Sequence, residues 1–557
     1  MTLDRFLMKL FRCERLLLFA AISAGIALRL AEYLRNRSLW GDEVAIATNL
    51  RLRGFGGLLH LLSYNQTMPI GLLFVLKTFV STLGHSELVL RLPALLAGCA
   101  LIVLTWKLMG KVEEMPIVIV VVALMATSSL LIYYSAEVKQ YGVDAVVTLV
   151  ILYLGIVTLK GEGPQAWRDL IVTGAIAMFF SQPIIFILAG ISIAALVDPR
   201  FRSASMWRFW WYIAAASWLI PFALLYWLSY RETSQSRFMR AFWAPHFIQI
   251  GAPNVFRDLI ASLQIVLGKD HLEYVPTLVL FCLFVIGLYG IASRHGLSIG
   301  MMGGAPFLLL LLAAAVKQYP LAPRLVLFYI PLLFWIYAAS AFTIGSWLPH
   351  KLLLPVFALL SVALVLPAAL RAGHRARHAA QHEATRDMVQ IMKAHNQDTP
   401  VYLAFGRYLE WEYYAGDWSH PEELHRRMDT AYQCMTSEEL VHLGYTSQVP
   451  GDCNGLNFAA TSGRPAELVG DVPPAPRSGK EAEGQWALAE SNRITAVGSK
   501  DVWLFTPVYS DHWFAGSLKS RRLLEKLDSD LELKHCQFVE SDARGTSLAY
   551  RYACARP

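Results

Sequence analysis

Two adjacent carboxylates, Asp42 and Glu43, stand in the stretch SLWGDEVA (residues 38–45), just past the first long apolar run. A carboxylate so placed can take the proton from an attacking hydroxyl. A second set, YYSAEVKQYGVD over residues 133–144, brings Glu137, Lys139, Tyr141 and Asp144 to the boundary between two later apolar runs. A third, KQYPLAPRLVLFYIP over residues 317–331, carries Lys317, Tyr319 and Arg324. Arginine presents a planar fork of donors that matches a phosphate, and lysine adds a compact charge. An acidic base beside basic phosphate ligands at a lipid boundary is what glycosyl transfer from a lipid-phosphate sugar requires. The base deprotonates the acceptor, and the cations stabilise charge on the departing phosphate. No nucleotide cradle is needed, and GFGG at 54–57 lacks the strand–loop–helix context of one.

Each set also has a structural reading. Asp42 and Glu43 can be a solvated loop pair, Glu137 and Lys139 a snorkelling pair, and Arg324 a headgroup anchor. Arg91 reads as a boundary residue packed near the site, and Arg29 with Glu32 as an intrahelical pair. Convergence of all three sets on one membrane face favours chemistry.

The elements that must position these residues follow from composition. The chain has 557 residues, 55% hydrophobic and only 16% charged, whereas soluble domains carry about 25% charged residues. Mean hydropathy is +0.42. Apolar runs dominate to about residue 370, which defines a transmembrane catalytic domain over 1–370 and a soluble domain over 371–557. Spans are expected at 16–34, 88–107, 115–134, 141–159, 169–181, 183–198, 209–229, 276–293, 299–316, 325–347 and 352–370. That makes about eleven, with the short fifth and sixth meeting as a broken pair at Ser181-Gln182-Pro183. Residues 50–62 read as an interfacial helix, and 69–83 as an interfacial or re-entrant one.

Lys107, Lys111, Lys160, Arg168, Arg200, Arg202, Arg208, Arg294 and Lys351 fall on the side of the basic N-terminus. That side is expected to be cytoplasmic, with the three chemical sets and the C-terminal domain outside. Arg35, Arg37, Arg51 and Arg53 break the rule locally and hint at function. No small-residue cleavage site follows the first apolar run, so it is expected to stay as a span. The net charge of +7 sits at span ends rather than on one basic face, which excludes nucleic acid as partner and leaves the bilayer.

Of seven cysteines, Cys434, Cys453, Cys536 and Cys554 lie in the soluble domain. Their even number and the lack of Cys-x-x-Cys spacing favour disulfides over zinc, with 434–453 and 536–554 as the nearest-neighbour pairing. Residues 399–406 and 501–510 read as strands, 521–531 as a helix, 535–553 as a strand pair and 462–485 as a loop, together a small α/β domain.

LWGDEVA after the first span, then SELVLRLPALLAG, YYSAEVKQYGVD and YPLAPRLVLFYIPLL, resemble the GT-C superfamily of membrane glycosyltransferases. The branch is that of protein O-mannosyltransferases and lipid A aminoarabinose transferases, and the resemblance covers the membrane domain. It implies an α-helical polytopic enzyme of a plasma (inner) membrane, bacterial in origin. Such an enzyme makes an inverting transfer from a polyprenyl-phosphate sugar to a glycan, lipid or protein on the outer face. Asp42 would be the general base, with Glu43 supporting it or positioning the acceptor. The family pattern Tyr-Ser-x-Glu-x-(Arg/Lys)-x-Tyr carries over Glu137, Lys139 and Tyr141, with Lys139 near the donor phosphate. Arg324 matches the arginine after the family's Tyr-Pro turn, and Lys317 and Tyr319 flank the same turn. Some members hold a divalent cation at the acidic loop. Where the family has His-Pro-Pro, YNQTMPIG (64–71) keeps only Pro69, so that role passes to Asn65, Gln66 or His60 or is lost.

Two other classes stay open. A transporter or flippase of lipid-linked sugars wants midplane charges and internal repeats, and only the Pro183 break speaks for it. A non-catalytic subunit of polysaccharide assembly would tolerate replacement of Asp42.

Overall fold

Helix boundaries in the first third of the chain follow its breakers and caps. The helices are α1 (Leu3–Leu34), α2 (Gly41–Leu52), α3 (Ile70–Leu83), α4 (Glu87–Leu104), α5 (Met115–Thr127), α6 (Ser129–Tyr134), α7 (Tyr141–Lys160), α8 (Pro164–Ala177) and α9 (Ile184–Val197). The structure, a computed structural model, describes residues 3–161, 163–231, 235–377, 385–395, 399–403, 408–442, 457–458, 467–469, 480–496, 501–507, 527–532, 536–544 and 547–554. Among these, 8 helices are long and apolar enough to cross a membrane: Cys13–Leu34, Glu87–Met109, Tyr141–Lys160, Ser205–Tyr230, Thr277–His295, Leu297–Ala315, Leu327–Ser346 and His350–Arg377. The chain is a polytopic helical membrane protein with a C-terminal α/β domain.

Three expectations are corrected in detail. The span 115–134 divides at Ser128, whose extended backbone ends α5 and whose hydroxyl caps α6 at Leu131 N–H (3.4 Å). The helix expected over 50–62 instead occupies 41–52, so the Asp-Glu pair opens it rather than preceding it. Gly54, Gly56 and Gly57 follow its end, and the Arg53 guanidinium folds onto Leu61 O (2.5 Å), Gly57 O (3.3 Å) and Ser63 Oγ (2.9 Å). The pairing of Arg29 with Glu32 is absent. Fully buried Arg29 donates to Gly25 O (3.1 Å), Met125 O (3.0 Å) and Ala126 O (3.4 Å). The α5 break leaves those last carbonyls without helical partners, and arginine supplies donors to them. Glu32 pairs with Arg35 and Arg37 instead.

The broken pair at 178–183 is observed: α8 and α9 have 14 residues each and meet at a non-helical segment. α3 also has 14 residues, roughly 21 Å of helix, too short to cross. Its Gly71 N–H donates to Phe179 O of the break (2.8 Å), so the two irregular segments are joined. The central helix Leu327–Ser346 is the most enclosed of the spans, and the other helices pack around it.

The last span runs on to Arg377, seven residues past the expected boundary at 370. Beyond it lies a 6-stranded sheet in the order β2-β3-β1-β4-β6-β5. β1 (Val401–Leu403) is parallel to β3 (Glu467–Val469) and to β4 (Asp501–Pro507). β2 (Asn457–Phe458) is antiparallel to β3, and β5 (Cys536–Arg544) and β6 (Ser547–Cys554) form the closing pair. The loop expected over 462–485 therefore contains β3 and the start of the helix Lys480–Ala496. A strand of 3 residues is too short to show alternation. Of the expected helix 521–531, residues 521–526 lie outside the described residues, and 527–532 are helical.

Gly98 on α4 is the close point between α1, α4 and the loop after α6. A Cβ there would lie 2.5 Å from Ser135 Cβ and 3.2 Å from Arg29. Gly98→Ala is expected to destabilise the protein by about 1–3 kcal/mol, read as a lower thermal unfolding midpoint in detergent. An unchanged midpoint would show that the loop moves away freely.

Candidate functional site

The site is built from the first turn of α2. Glu43 is wholly buried and takes Arg91 of α4 in a two-pronged pair, Nε to Oε1 (2.8 Å) and Nη2 to Oε2 (2.6 Å). Its Oε1 also accepts the Val138 N–H (2.9 Å). Arg91 spends its remaining donors on Arg37 O (2.5 Å) and Ser38 O (3.1 Å). Burial raises the Glu43 carboxyl, but the Arg91 cation and its hydrogen bonds outweigh this and hold it below its ordinary value. With both oxygens engaged inside the protein, Glu43 joins the three segments rather than facing a substrate.

Asp42, one residue earlier, faces outward. Its side chain is 27% exposed, and Oδ2 meets Arg324 Nη1 (3.3 Å) and Lys139 Nζ (3.7 Å). Gln66 bridges the arrangement, donating to Asp42 Oδ1 (3.3 Å) and accepting from Lys139 Nζ (2.6 Å). Burial pushes Asp42 up, yet Lys139, Arg324 and Gln66 together hold it below the usual carboxylate range. Lys139 is itself lowered, chiefly by burial. Arg324 stands between two indoles, 5.8 Å from the Trp40 ring centroid and 5.3 Å from that of Trp243. These rings offer apolar faces that keep the cation from bulk water.

Glu137 is the third carboxyl. It is fully buried, and its Oε1 accepts the Trp40 Nε1–H (2.8 Å). Burial, then the nearby Glu43 charge, push it up to about 7. The two glutamates are thus driven apart, one ionised by Arg91 and the other left protonated in acid. Such separation is a mark of functional sites, although structural networks produce it too.

Of the residues expected from sequence, Asp42, Lys139 and Arg324 come together, with Tyr141 within electrostatic reach of Asp42 and Arg324. Glu137 joins through Trp40. Others stand apart. Asn65 Nδ2 donates to Tyr432 OH (3.2 Å) on the soluble domain. Tyr319 OH closes its own turn onto Leu325 O (2.8 Å). Lys317 is exposed and has a left-handed φ of 59°. Of the three residues offered for the family's missing histidine, Gln66 is the one in the cluster, while His60 is exposed. Trp40 and Trp243 carry no spacing signal in the sequence because they are apolar rings, whereas Arg37 is one of the arginines that break the topological charge rule.

Among the described residues, no group of three or more His, Cys, Asp and Glu side chains is placed to hold a metal ion. Asp42 already faces two cations and Glu43 is closed by Arg91, so the residues present do not fit the divalent cation of some GT-C members.

No family model matches the chain, and no curated protein matches it. Among solved structures, it is similar to ArnT from Cupriavidus metallidurans bound to undecaprenyl phosphate. That match has 11% identity and a TM-score of 0.48, over 99% of this chain and 98% of that one. Apo ArnT from the same organism matches at 12% identity and a TM-score of 0.45, over 94% of this chain and 96% of that one.

Glu43→Gln leaves Arg91 buried without its counter-charge. A loss of about 3–5 kcal/mol is expected, measured by thermal unfolding, and Glu43→Gln/Arg91→Gln should recover part of it. Glu137 gives a test with a sign. Its carboxyl is raised from 4.5 to about 7, so its contribution to stability is full below pH 4.5 and lost as pH rises through about 7. Glu137→Gln should therefore gain in unfolding midpoint relative to wild type across that window and hold the gain above it. Parallel pH curves would remove Glu137 as a buried proton holder.

Proposed function

We propose that the chain is a GT-C-type glycosyltransferase that moves a sugar from a polyprenyl phosphate to an acceptor hydroxyl at the outer membrane face. The observation that carries this reading is the Asp42 carboxylate. It is the only one of the three site carboxyls with exposure, and the two cations at its Oδ2 are where a donor phosphate would sit.

In the proposed step the acceptor O–H gives its proton to Asp42 as its oxygen bonds to the anomeric carbon. The bond from that carbon to the phosphate oxygen breaks, and the electron pair leaves on the phosphate, held by Arg324 and Lys139. A single displacement inverts the anomeric centre. Cation sharing has a consequence for the base. In the free protein the two cations hold Asp42 low, which makes it a weak base. A bound phosphate takes up part of that positive charge, so Asp42 becomes more basic when the donor is seated. Glu43 acts as a positioning residue through Arg91, and Gln66 sets the separation of Asp42 and Lys139.

The same reading places the acidic loop, the 135–140 loop, the turn at 317–326 and the soluble domain on the extracytoplasmic side of a plasma membrane. The strand register sets Cys536 opposite Cys554, but the disulfide expected between them is not supported among the described residues. Cys453, expected to pair with Cys434, lies outside the described residues.

Asp42→Asn keeps size and removes the base. In membranes with equal expression, transfer from radiolabelled polyprenyl-phosphate sugars should fall by about 10²–10⁴-fold. Arg324→Met should chiefly raise the KM for the donor. Equal transfer by wild type and Asp42→Asn would overturn this assignment.

A further inference from the structure

A second polar group lies below the cluster, and the proposed chemistry has not used it. Asp144 sits on the first turn of α7, buried, with Oδ1 bonded to nothing. The fully buried Ser181 hydroxyl lies beside it, and among the described residues it has no polar partner other than Asp144. Gln182 Nε2 and Tyr230 OH are neighbours with no polar partner beyond each other among those residues. Tyr230 and Tyr319 are both within electrostatic reach of Asp144. Among the described residues, no lysine or arginine forms an ion pair with Asp144.

This arrangement is costly for stability alone. Each buried polar group left unbonded costs about 1–3 kcal/mol, and an ionisable side chain inside a membrane span marks a functional site by default. The chain also interrupts helical structure at 178–183 to present Ser181 and Gln182. Irregular backbone at membrane depth is tolerated where it lines a wet or ligand-filled space.

Position and chemistry narrow the ligand. Tyr141 and Asp144 are separated by about one helical turn, roughly 5 Å. Asp144 follows Lys139 by five residues at the start of α7, roughly 7 Å of helical rise, which is about the span of a sugar ring. A carboxyl acceptor, an amide donor and two hydroxyls suit a polyol, because each can exchange a hydrogen bond with an O–H. A phosphate would meet the carboxyl of Asp144 with no cation to offset it, and an isoprenoid tail would leave every polar atom unbonded.

We infer that Asp144, Ser181, Gln182 and Tyr230 form the subsite that binds the hydroxyls of the donor's sugar, below the phosphate held by Arg324 and Lys139. This rests on the glycosyl-transfer reading for what delivers the sugar, and it extends that reading to recognition of the sugar itself. It also gives the Pro183 break a role other than transport.

The test compares full-length wild type, Asp144→Asn and Ser181→Ala in nanodiscs. Affinity is measured for bare polyprenyl phosphate and for polyprenyl phosphate carrying mannose, glucose or arabinose. The quantity read is the ratio of the best glycosylated affinity to the bare one. The ratio is expected to fall about tenfold in Asp144→Asn, about 1.4 kcal/mol, and less in Ser181→Ala, with the bare carrier bound as in wild type. An unchanged ratio in both variants, or equal losses for bare and glycosylated carriers, would overturn the subsite. So would a wild type that binds no glycosylated carrier more tightly than the bare one. Transfer is assayed in parallel. Transfer by wild type with an unchanged ratio sinks the subsite alone. A falling ratio without transfer by wild type supports the subsite and sinks the catalytic reading.

Discussion

The buried Glu43–Arg91 pair is the interaction on which the site depends. It ties the loop before α2, the helix α4 and the loop before α7 with a single set of hydrogen bonds. Desolvating two such ions costs several kcal/mol each, and only complete hydrogen bonding offsets it. Here both carboxylate oxygens are occupied, and Arg91 also reaches two backbone carbonyls. The return is rigidity at one residue's distance from Asp42. Consecutive positions on a helix point about 100° apart, so holding Glu43 inward holds Asp42 outward.

Charge balance explains why the neighbours are tolerated at a lipid boundary. Asp42 has Arg324 and Lys139, Glu43 has Arg91, and Glu137 has Trp40 with Arg37 and Arg324 in electrostatic range. The arginines that break the topological charge rule therefore divide by task. Arg37 donates to Ala136 O (3.0 Å) and lies over the Tyr133 ring, and Arg53 closes the turn after α2. Arg51 lies over Trp418 of the soluble domain. Each is retained on this face by a local acceptor or ring rather than by free solvation.

The soluble domain braces the same loops. Leu39 N–H donates to Tyr414 OH (2.7 Å), and Tyr414 donates in turn to Glu87 (3.2 Å). Arg386 holds Glu87 (2.8 Å) and Asn36 O (2.9 Å), and its own N–H meets Ser38 Oγ (3.2 Å). On the far side of the site, Tyr64 contacts His425 and its carbonyl accepts from Tyr432. The segments carrying Asp42 and Gln66 are thus each tied to the soluble domain within a few residues.

Much of this was legible in the sequence, because lipid imposes simple rules. Apolar runs located the 8 long helices, whereas three of the expected spans, 115–134, 169–181 and 183–198, fall on helices of 14 residues or fewer. The Pro183 break stood where α8 and α9 meet. Charged residues beside those runs pointed to Asp42, Lys139 and Arg324, since a charge at a lipid boundary needs a reason. Tertiary structure alone decided how the acids divide. Asp42 and Glu43 are chemically alike and adjacent, and only the position of Arg91 turns one inward. The same holds for Gln66 over Asn65, for the rings of Trp40 and Trp243, and for the meeting of Asp144 with Ser181. Composition and periodicity describe one segment at a time. Which side chains share a buried space is set by the packing of segments far apart in the chain.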